Sequence, residues 1–446
     1  MQERENQIYL RVRDCGTGMS LNVIKDYLFD FGKSYWNSDL MQEEFPGLIS
    51  KNVLHTGKYG IGFFSIFMLS DNIKITTRKC TDALEDTHVL DFNNGLNNRP
   101  IIRAASREEC LTLIDGGTIV ELLLEPQIYK QLIKESRELP LSLHDLIVSA
   151  APALDITISA KDYINSVDRI IPLDYWKTCD DEEFITYYMS LYQEEFVHFT
   201  EKYRGHAINA VRFMYDDNGE IIGRGWLTAS AYMSSTPGLV LCNGLSESKL
   251  RHMSGFFLGK NLNAARDSCV LVATDEQLGR WSTEQFKIAN QSLSKDKLLT
   301  MSGCIKIQNA KLRDFPFICC KERSYTIDEF VDLTKGLNQL RISDNFFLRR
   351  ATDFDSLIIE DDIFFIDIHS YASLYFGSRA SALIDIEDRY NNQPLSMVTD
   401  CLSEAWGIER EKLKDVANAK ESYVKQTIAH NNGIKLDEYC YLFSRF

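Results

Sequence analysis

Ile8, Leu10 and Val12 alternate with Tyr9, Arg11 and Arg13, the period-2 pattern of a half-buried strand that runs into Asp14. Ser20 stands where it can cap a helix over 21–31. The apolar run Phe63 to Leu69 reads as a second helix, and Ile73 and Ile75 alternating with Lys74 and Thr76 predict a strand to Arg78. Strands and loops with a turn at Asn93-Asn94-Gly95 fill 80–117, and Ile119 to Leu124 is the next strand. A polar helical connector over 125–140 leads to a buried helix over 141–151, and a second unit starts in Ile156 to Trp176.

Farther on, residues 178–204 mix acids with tyrosines as one charged helical face. His206 to Met214 and Ile221 to Tyr232, around the turn Asp216-Asp217-Asn218-Gly219, read as a β-hairpin. Leu239 to Cys242 with Asn243-Gly244 is another strand and turn, and Trp281 to Ile288 a helix. Ser324 to Glu329 has the form of a capping box. Ile363 to Ile366 predicts a buried strand and Ile384 to Glu387 a second one. A charged helix is expected over 409–426, with Leu413, Val416 and Val424 on its apolar side. Strands alternating with helices make the fold class α/β, or α+β.

Within the first pattern sit residues with chemistry. A carboxylate at a strand end, Asp14, can only accept, so it suits an exocyclic amino group such as that of adenine. Gly16 and Gly18 let the backbone approach a flat base, and Met19 is a soft apolar wall for it. The glycine-rich run Gly57-Lys58-Tyr59-Gly60-Ile61-Gly62-Phe63 precedes a helix, an arrangement whose backbone N–H groups suit phosphate, with Lys33 and Lys58 as counter-charges. The polar stretch Asn37 to Thr56 is a candidate lid. Gly116-Gly117-Thr118 enters its strand with a hydroxyl that could join the adenine network through a water.

Composition narrows the partners. The 446 residues are 44% hydrophobic and 25% charged with a net charge of −15, which disfavours a nucleic-acid or anionic-membrane binder. Eleven cysteines without a C-x-x-C pair, and no leader sequence, fit reduced thiols and a cytoplasmic location. No run of 18 apolar residues predicts a membrane helix, and the eight histidines have no metal-ligand spacing.

Taken in order, Asp14 to Met19, Lys33-Ser34, Gly57 to Phe63 and Gly117-Thr118 resemble the nucleotide boxes of the GHKL ATPases. They are most similar to those of the ninety-kilodalton heat-shock chaperones. Gly60-Ile61-Gly62-Phe63 favours that branch over the mismatch-repair and gyrase relatives. The resemblance implies ATP with magnesium as cofactor. It places Asp14 and Thr118 at the adenine and Met19 and Phe63 as pocket walls. It puts Lys33 with the backbone of Tyr59 to Phe63 at the phosphates, with Ser34, Gly57 and Lys58 in the same boxes. Tyr27 departs from the pattern where the chaperones usually carry an Asn. Leu262-Asn263-Ala264-Ala265-Arg266-Asp267 resembles the middle-domain segment whose Arg reaches the γ-phosphate, so Arg266 is the catalytic candidate.

The family's first box, a helix with E-x-x-x-N that supplies the general base and a magnesium ligand, does not precede Asp14. The expectation is a shortened ATPase or a protein without hydrolysis. Its GHKL-type two-layer α/β sandwich (1–128, incomplete) is followed by an α/β chaperone-like middle domain (129–292) and a small divergent α/β C-terminal domain (293–446). Nucleotide-driven clamp closure on protein clients is the implied activity, with a homodimer or other protein partners. A non-hydrolysing scaffold and a DNA-associated protein of mismatch-repair or MORC type are the alternatives.

Overall fold

The computed structural model describes residues 1–30, 32–49, 62–133, 140–192, 201–227, 237–250, 253–262, 269–292, 313, 316–321, 323–343, 357–366 and 393–445. They are mixed α/β and fall into two units, chiefly Met1–Tyr175 and the chain from Trp176 onward.

The first unit is built on a six-stranded antiparallel sheet of order β1-β2-β6-β3-β4-β5. Its strands are β1 Gln2–Arg4, β2 Gln7–Asp14, β3 Asn72–Arg78, β4 His88–Asn93, β5 Ile101–Ala104 and β6 Gly117–Leu124. Glu5 and Asn6 both take positive φ, the twist a two-residue hairpin between β1 and β2 needs. Register carries apolar side chains into rungs: Leu10 opposes Leu122, Leu122 opposes Ile73, and Ile73 opposes Phe92. These residues form one core with Ile24, Phe63 and Phe67 from the helical segments. The segment after Ser20 is shorter than expected, an α-turn Leu21–Val23 that widens into a π-turn Ile24–Leu28. Gly62–Met68 is a 3₁₀ helix. A hairpin of β7 Ile158–Asp162 and β8 Val167–Ile171 also belongs to this unit.

The second unit contains two sheets. One has the order β12-β11-β13-β10-β9, with β14 on β13. Its strands are β9 Arg212–Tyr215, β10 Ile221–Leu227, β11 Gly238–Cys242, β12 Leu245–Leu250, β13 Met253–Asn261 and β14 Cys269–Leu271. Neighbours on β13 point to opposite faces: Phe256 packs on Trp176, Phe184 and Tyr188, and Phe257 on Trp281 of the helix Asp275–Ser292. Helices therefore cover both faces. The expected strand from His206 is corrected, because Glu201–Ala210 is a helix. Burial of His206, Ala207 and Ala210 follows helical spacing, and the strand starts only at Arg212.

The other sheet has the order β16-β15-β19-β17-β21-β20-β18. Its strands are β15 Ile318–Cys320, β16 Arg323–Tyr325, β17 Gln339–Ser343, β18 Leu357–Ile359, β19 Ile363–Phe365, β20 Tyr423–Asn431 and β21 Ile434–Ser444. In a flat sheet β19 and β18 would lie about 19 Å apart at the usual ~4.8 Å spacing, but a three-residue link spans at most ~14 Å. The sheet must therefore curl, and Cys319, Ile359, Ile363, Phe365, Ile428 and Cys440 cluster together. Thr326 caps the helix Ile327–Lys335 in a capping box with Glu329. The expected helix over 409–426 ends at Asn418, and Val424 lies in β20 opposite Cys440. Tyr423, Val424, Thr427 and Ile428 are aromatic or β-branched and favour a strand there. The strand expected at 384–387 lies outside the described residues.

Candidate functional site

Asp14 ends β2, and its Cα partner on β6 is Thr118, whose own partner on β3 is Thr77. Three strands thus put a carboxylate and two hydroxyls in one rung. The Gly16 N–H donates to Asp14 Oδ1 at 2.9 Å. Among the described residues Oδ2 has no partner, so the exposed Asp14 keeps one oxygen for an incoming donor. Thr77 is fully buried; its Oγ1 accepts from the Met19 N–H at 3.1 Å and lies 3.0 Å from Thr118 Oγ1 and 3.2 Å from the Gly117 carbonyl.

Backbone proximity explains two glycines. Gly18 has φ +64, and a Cβ there would lie 2.6 Å from the Arg78 carbonyl carbon and overlap its oxygen. Gly117 has φ +106, and a Cβ there would overlap the Asp14 carbonyl oxygen. Met19 and Phe63 are partly buried against the same apolar cluster. Asp14, Gly16, Gly18, Met19 and Thr118 are therefore brought together by the sheet register.

Lys33 Nζ lies 4.5 Å from the centroid of the Tyr27 ring and 3.8 Å from Asp30. Tyr27 meets Tyr35 edge-on at 5.6 Å. Ser34 precedes the 3₁₀ turn Tyr35–Asn37 without a side-chain cap. The helix Asp39–Glu44, capped by Ser38, falls in the stretch expected to be a lid, and its last residue is held. Ser20 donates to Glu44 Oε1 at 2.9 Å, Tyr35 donates to Oε2 at 2.6 Å, and Lys79 Nζ lies 3.3 Å from Oε1. Burial alone would raise the Glu44 pKa, but these three partners together hold it below its ordinary 4.5. A depressed carboxylate contributes stability that is full above its unfolded pKa and is lost as pH falls through the folded one. The melting-temperature gap between the protein and Glu44→Gln should therefore be widest above pH 4.5 and shrink on acidification below it, which calorimetric scans would show.

The sequence motifs missed Arg78. It is 4% exposed, yet its guanidinium donates to the carbonyls of Leu113, Ile114, Lys79 and Asp82 at 2.5–3.4 Å. It thereby ties the loop after β3 to the loop that ends in Gly116-Gly117. Gly62 opens its 3₁₀ helix, and its carbonyl accepts from Ser65. Gly57, Lys58, Tyr59, Gly60, Ile61 and the candidate Arg266 lie outside the described residues. Among the described residues, no three His, Cys, Asp or Glu side chains are grouped to hold a metal ion. None of the described helices is long and apolar enough to cross a membrane.

The chain is similar to chaperone proteins named HtpG. It is 31% identical over 127 residues to that of Rhodopseudomonas palustris (strain HaA2), covering 28% of this chain and 18% of the relative. It is 32% identical over 74 residues to that of Oleidesulfovibrio alaskensis, covering 17% and 11%. The third is the protein of Borrelia garinii subsp. bavariensis, 27% identical over 119 residues and covering 26% and 17%. The chain thus spans less than a fifth of the length of the curated relatives it matches. No family model matches. These partial similarities support a distant link to the ninety-kilodalton heat-shock chaperone family.

Proposed function

We propose that the first unit binds an adenine nucleotide, ATP with magnesium, at the Asp14–Thr118–Thr77 rung. The observation that carries this reading is the lock of Asp14 Oδ1 by the Gly16 N–H, which leaves Oδ2 as an acceptor beside two hydroxyls. Adenine offers an amino donor at its edge, and guanine offers a carbonyl there, so the site should prefer adenine. The partial likeness to HtpG chaperones supports the same direction. In this reading 1–128 is the nucleotide domain, 129–292 a middle domain carrying Arg266 toward the γ-phosphate, and 293–446 a divergent C-terminal domain. ATP would drive closure onto protein clients by binding the closed state better. Clamp closure, hydrolysis and dimerisation are parts of the proposal that follow only if nucleotide binds.

The test is calorimetry with ATP and magnesium on the intact chain and on Asp14→Asn. The protein should bind, and the variant should lose about a hundredfold in affinity, the scale of one charge-assisted hydrogen bond. Cys15 follows Asp14 and is exposed, so bound ATP should also slow its alkylation in the protein and not in the variant. An intact chain that does not bind ATP would remove the proposal.

A further inference from the structure

Glu44 is the point where three parts of the first unit meet. Its Oε1 takes the Ser20 hydroxyl at 2.9 Å, and the same Ser20 oxygen accepts from the Val23 N–H at 3.3 Å to cap the turn that follows the Asp14 to Met19 box. Its Oε2 takes the Tyr35 hydroxyl at 2.6 Å. Lys79, two residues beyond Thr77, neutralises it at 3.3 Å, with 14% of its side chain exposed against 12% for Glu44. The Tyr35 ring in turn abuts Tyr27, and Lys33 rests over the Tyr27 ring. A continuous set of contacts therefore runs from Glu44 to the lysine expected at the phosphates. The carboxylate touches neither the Asp14 rung nor its hydroxyls among the described residues.

We infer that Glu44 is the positioning residue for the phosphate side of the nucleotide site, seating Lys33 through Tyr35 and Tyr27 and fixing the turn at Ser20. This rests on the nucleotide reading above and deepens it. A carboxylate suits the task because it accepts several donors at once and carries the charge that holds Lys79. Tyr27 then has a use: where the chaperone pattern has an Asn, this chain has a ring that bears a cation. Lys33 is thereby held close to one geometry before any ligand arrives, which lowers the ordering cost of binding.

A purely structural glutamate would weaken every ligand of the unit alike, whereas a positioning residue for phosphates separates them. The intact chain, Glu44→Ala, Glu44→Gln, Tyr35→Phe and Lys33→Met are titrated with ATP and with adenosine. Glu44→Ala should weaken ATP about tenfold and leave adenosine within about twofold. Glu44→Gln keeps the shape and one acceptor oxygen but loses the second acceptor and the charge beside Lys79, so it should recover only part of the loss. Tyr35→Phe cuts only the route to Lys33 and should weaken ATP in the same direction. Combined with Lys33→Met, Glu44→Ala should add little, because both act on one contact set. ATP and adenosine weakened together, an unchanged ATP affinity in Glu44→Ala, or full additivity with Lys33→Met would each overturn the inference while Asp14→Asn still loses ATP. An intact chain that binds neither ligand overturns the nucleotide reading, and this inference with it.

Discussion

Gly18→Ala should cost the first unit at least about 2–3 kcal/mol and abolish nucleotide binding. Two penalties coincide at this residue. Its φ of +64 lies in the left-handed region, where a Cβ is strained. The same Cβ would also overlap the Arg78 carbonyl, which belongs to a strand end buried on the other side of the rung. Backbone cannot rotate away as a long side chain can, so the loop Gly16 to Met19 would have to lift off β3. That movement would break the Met19 N–H bond to Thr77 and unseat the Asp14 lock. Gly32→Ala is the matched control, with φ +88 and no atom of the other described residues within 4 Å of the added Cβ, so it carries the strain without the overlap. Thermal unfolding of both variants separates the two terms, at about 2–4 °C per kcal/mol for a unit of this size. Equal shifts would show that the close approach to Arg78 has no energetic weight.

The same loop shows what could be read from the chain alone. The strand through Ile8, Leu10 and Val12 was legible because alternation survives in sequence, and the turns at Asn94-Gly95 and Asp216 to Gly219 because their residue types tolerate the backbone they need. The rung was legible only in part. A motif can order Asp14 before Thr118, but Thr77 joins them through register, and nothing local marks a strand-end threonine as their neighbour. Glu44 was hidden for a related reason: its partners stand 24, 9 and 35 positions away, so only a window reaching from Ser20 to Lys79, far longer than one helix or strand, contains them all. Where local propensity was ambiguous, packing decided. The stretch His206 to Val211 is apolar enough for a strand, yet Ala207 and Ala210 are both fully buried on one helical face. Beyond Asn418 a charged helix pattern gave way to β20 because Val424 pairs opposite Cys440 and Ile428, at the bulge of that strand, is fully buried in the core.

Arg78→Met is expected to lower stability by about 3–5 kcal/mol, the scale of removing a buried charge from partners that cannot be solvated. The loss would come from an unusual arrangement. Arg78 is 4% exposed, and its partners among the described residues are all backbone carbonyls, two donors going to Leu113 alone. Carbonyl dipoles take the place of a counter-ion, and they are useful in this position because each belongs to a loop that must stay put. Leu113 and Ile114 lead into Gly116-Gly117, and Lys79 and Asp82 follow β3. Methionine fills similar volume and takes the Arg78 donors from four carbonyls, of which Leu113 and Lys79 keep only their turn bonds from the Gly116 and Asp82 N–H groups. Those loops should then separate, Gly117 should no longer seat against Asp14, and nucleotide affinity should fall with stability. Arg78→Lys should restore only part of the loss, since one ammonium cannot reach two loops in the planar fork of a guanidinium. Chemical denaturation of the three proteins, each with and without ATP, decides between this account and a local one. If Arg78→Met keeps the native midpoint but loses ATP, the residue acts on the ligand and not on the loops. A midpoint that falls for Met and partly recovers for Lys, with ATP affinity following in the same order, is the expected result.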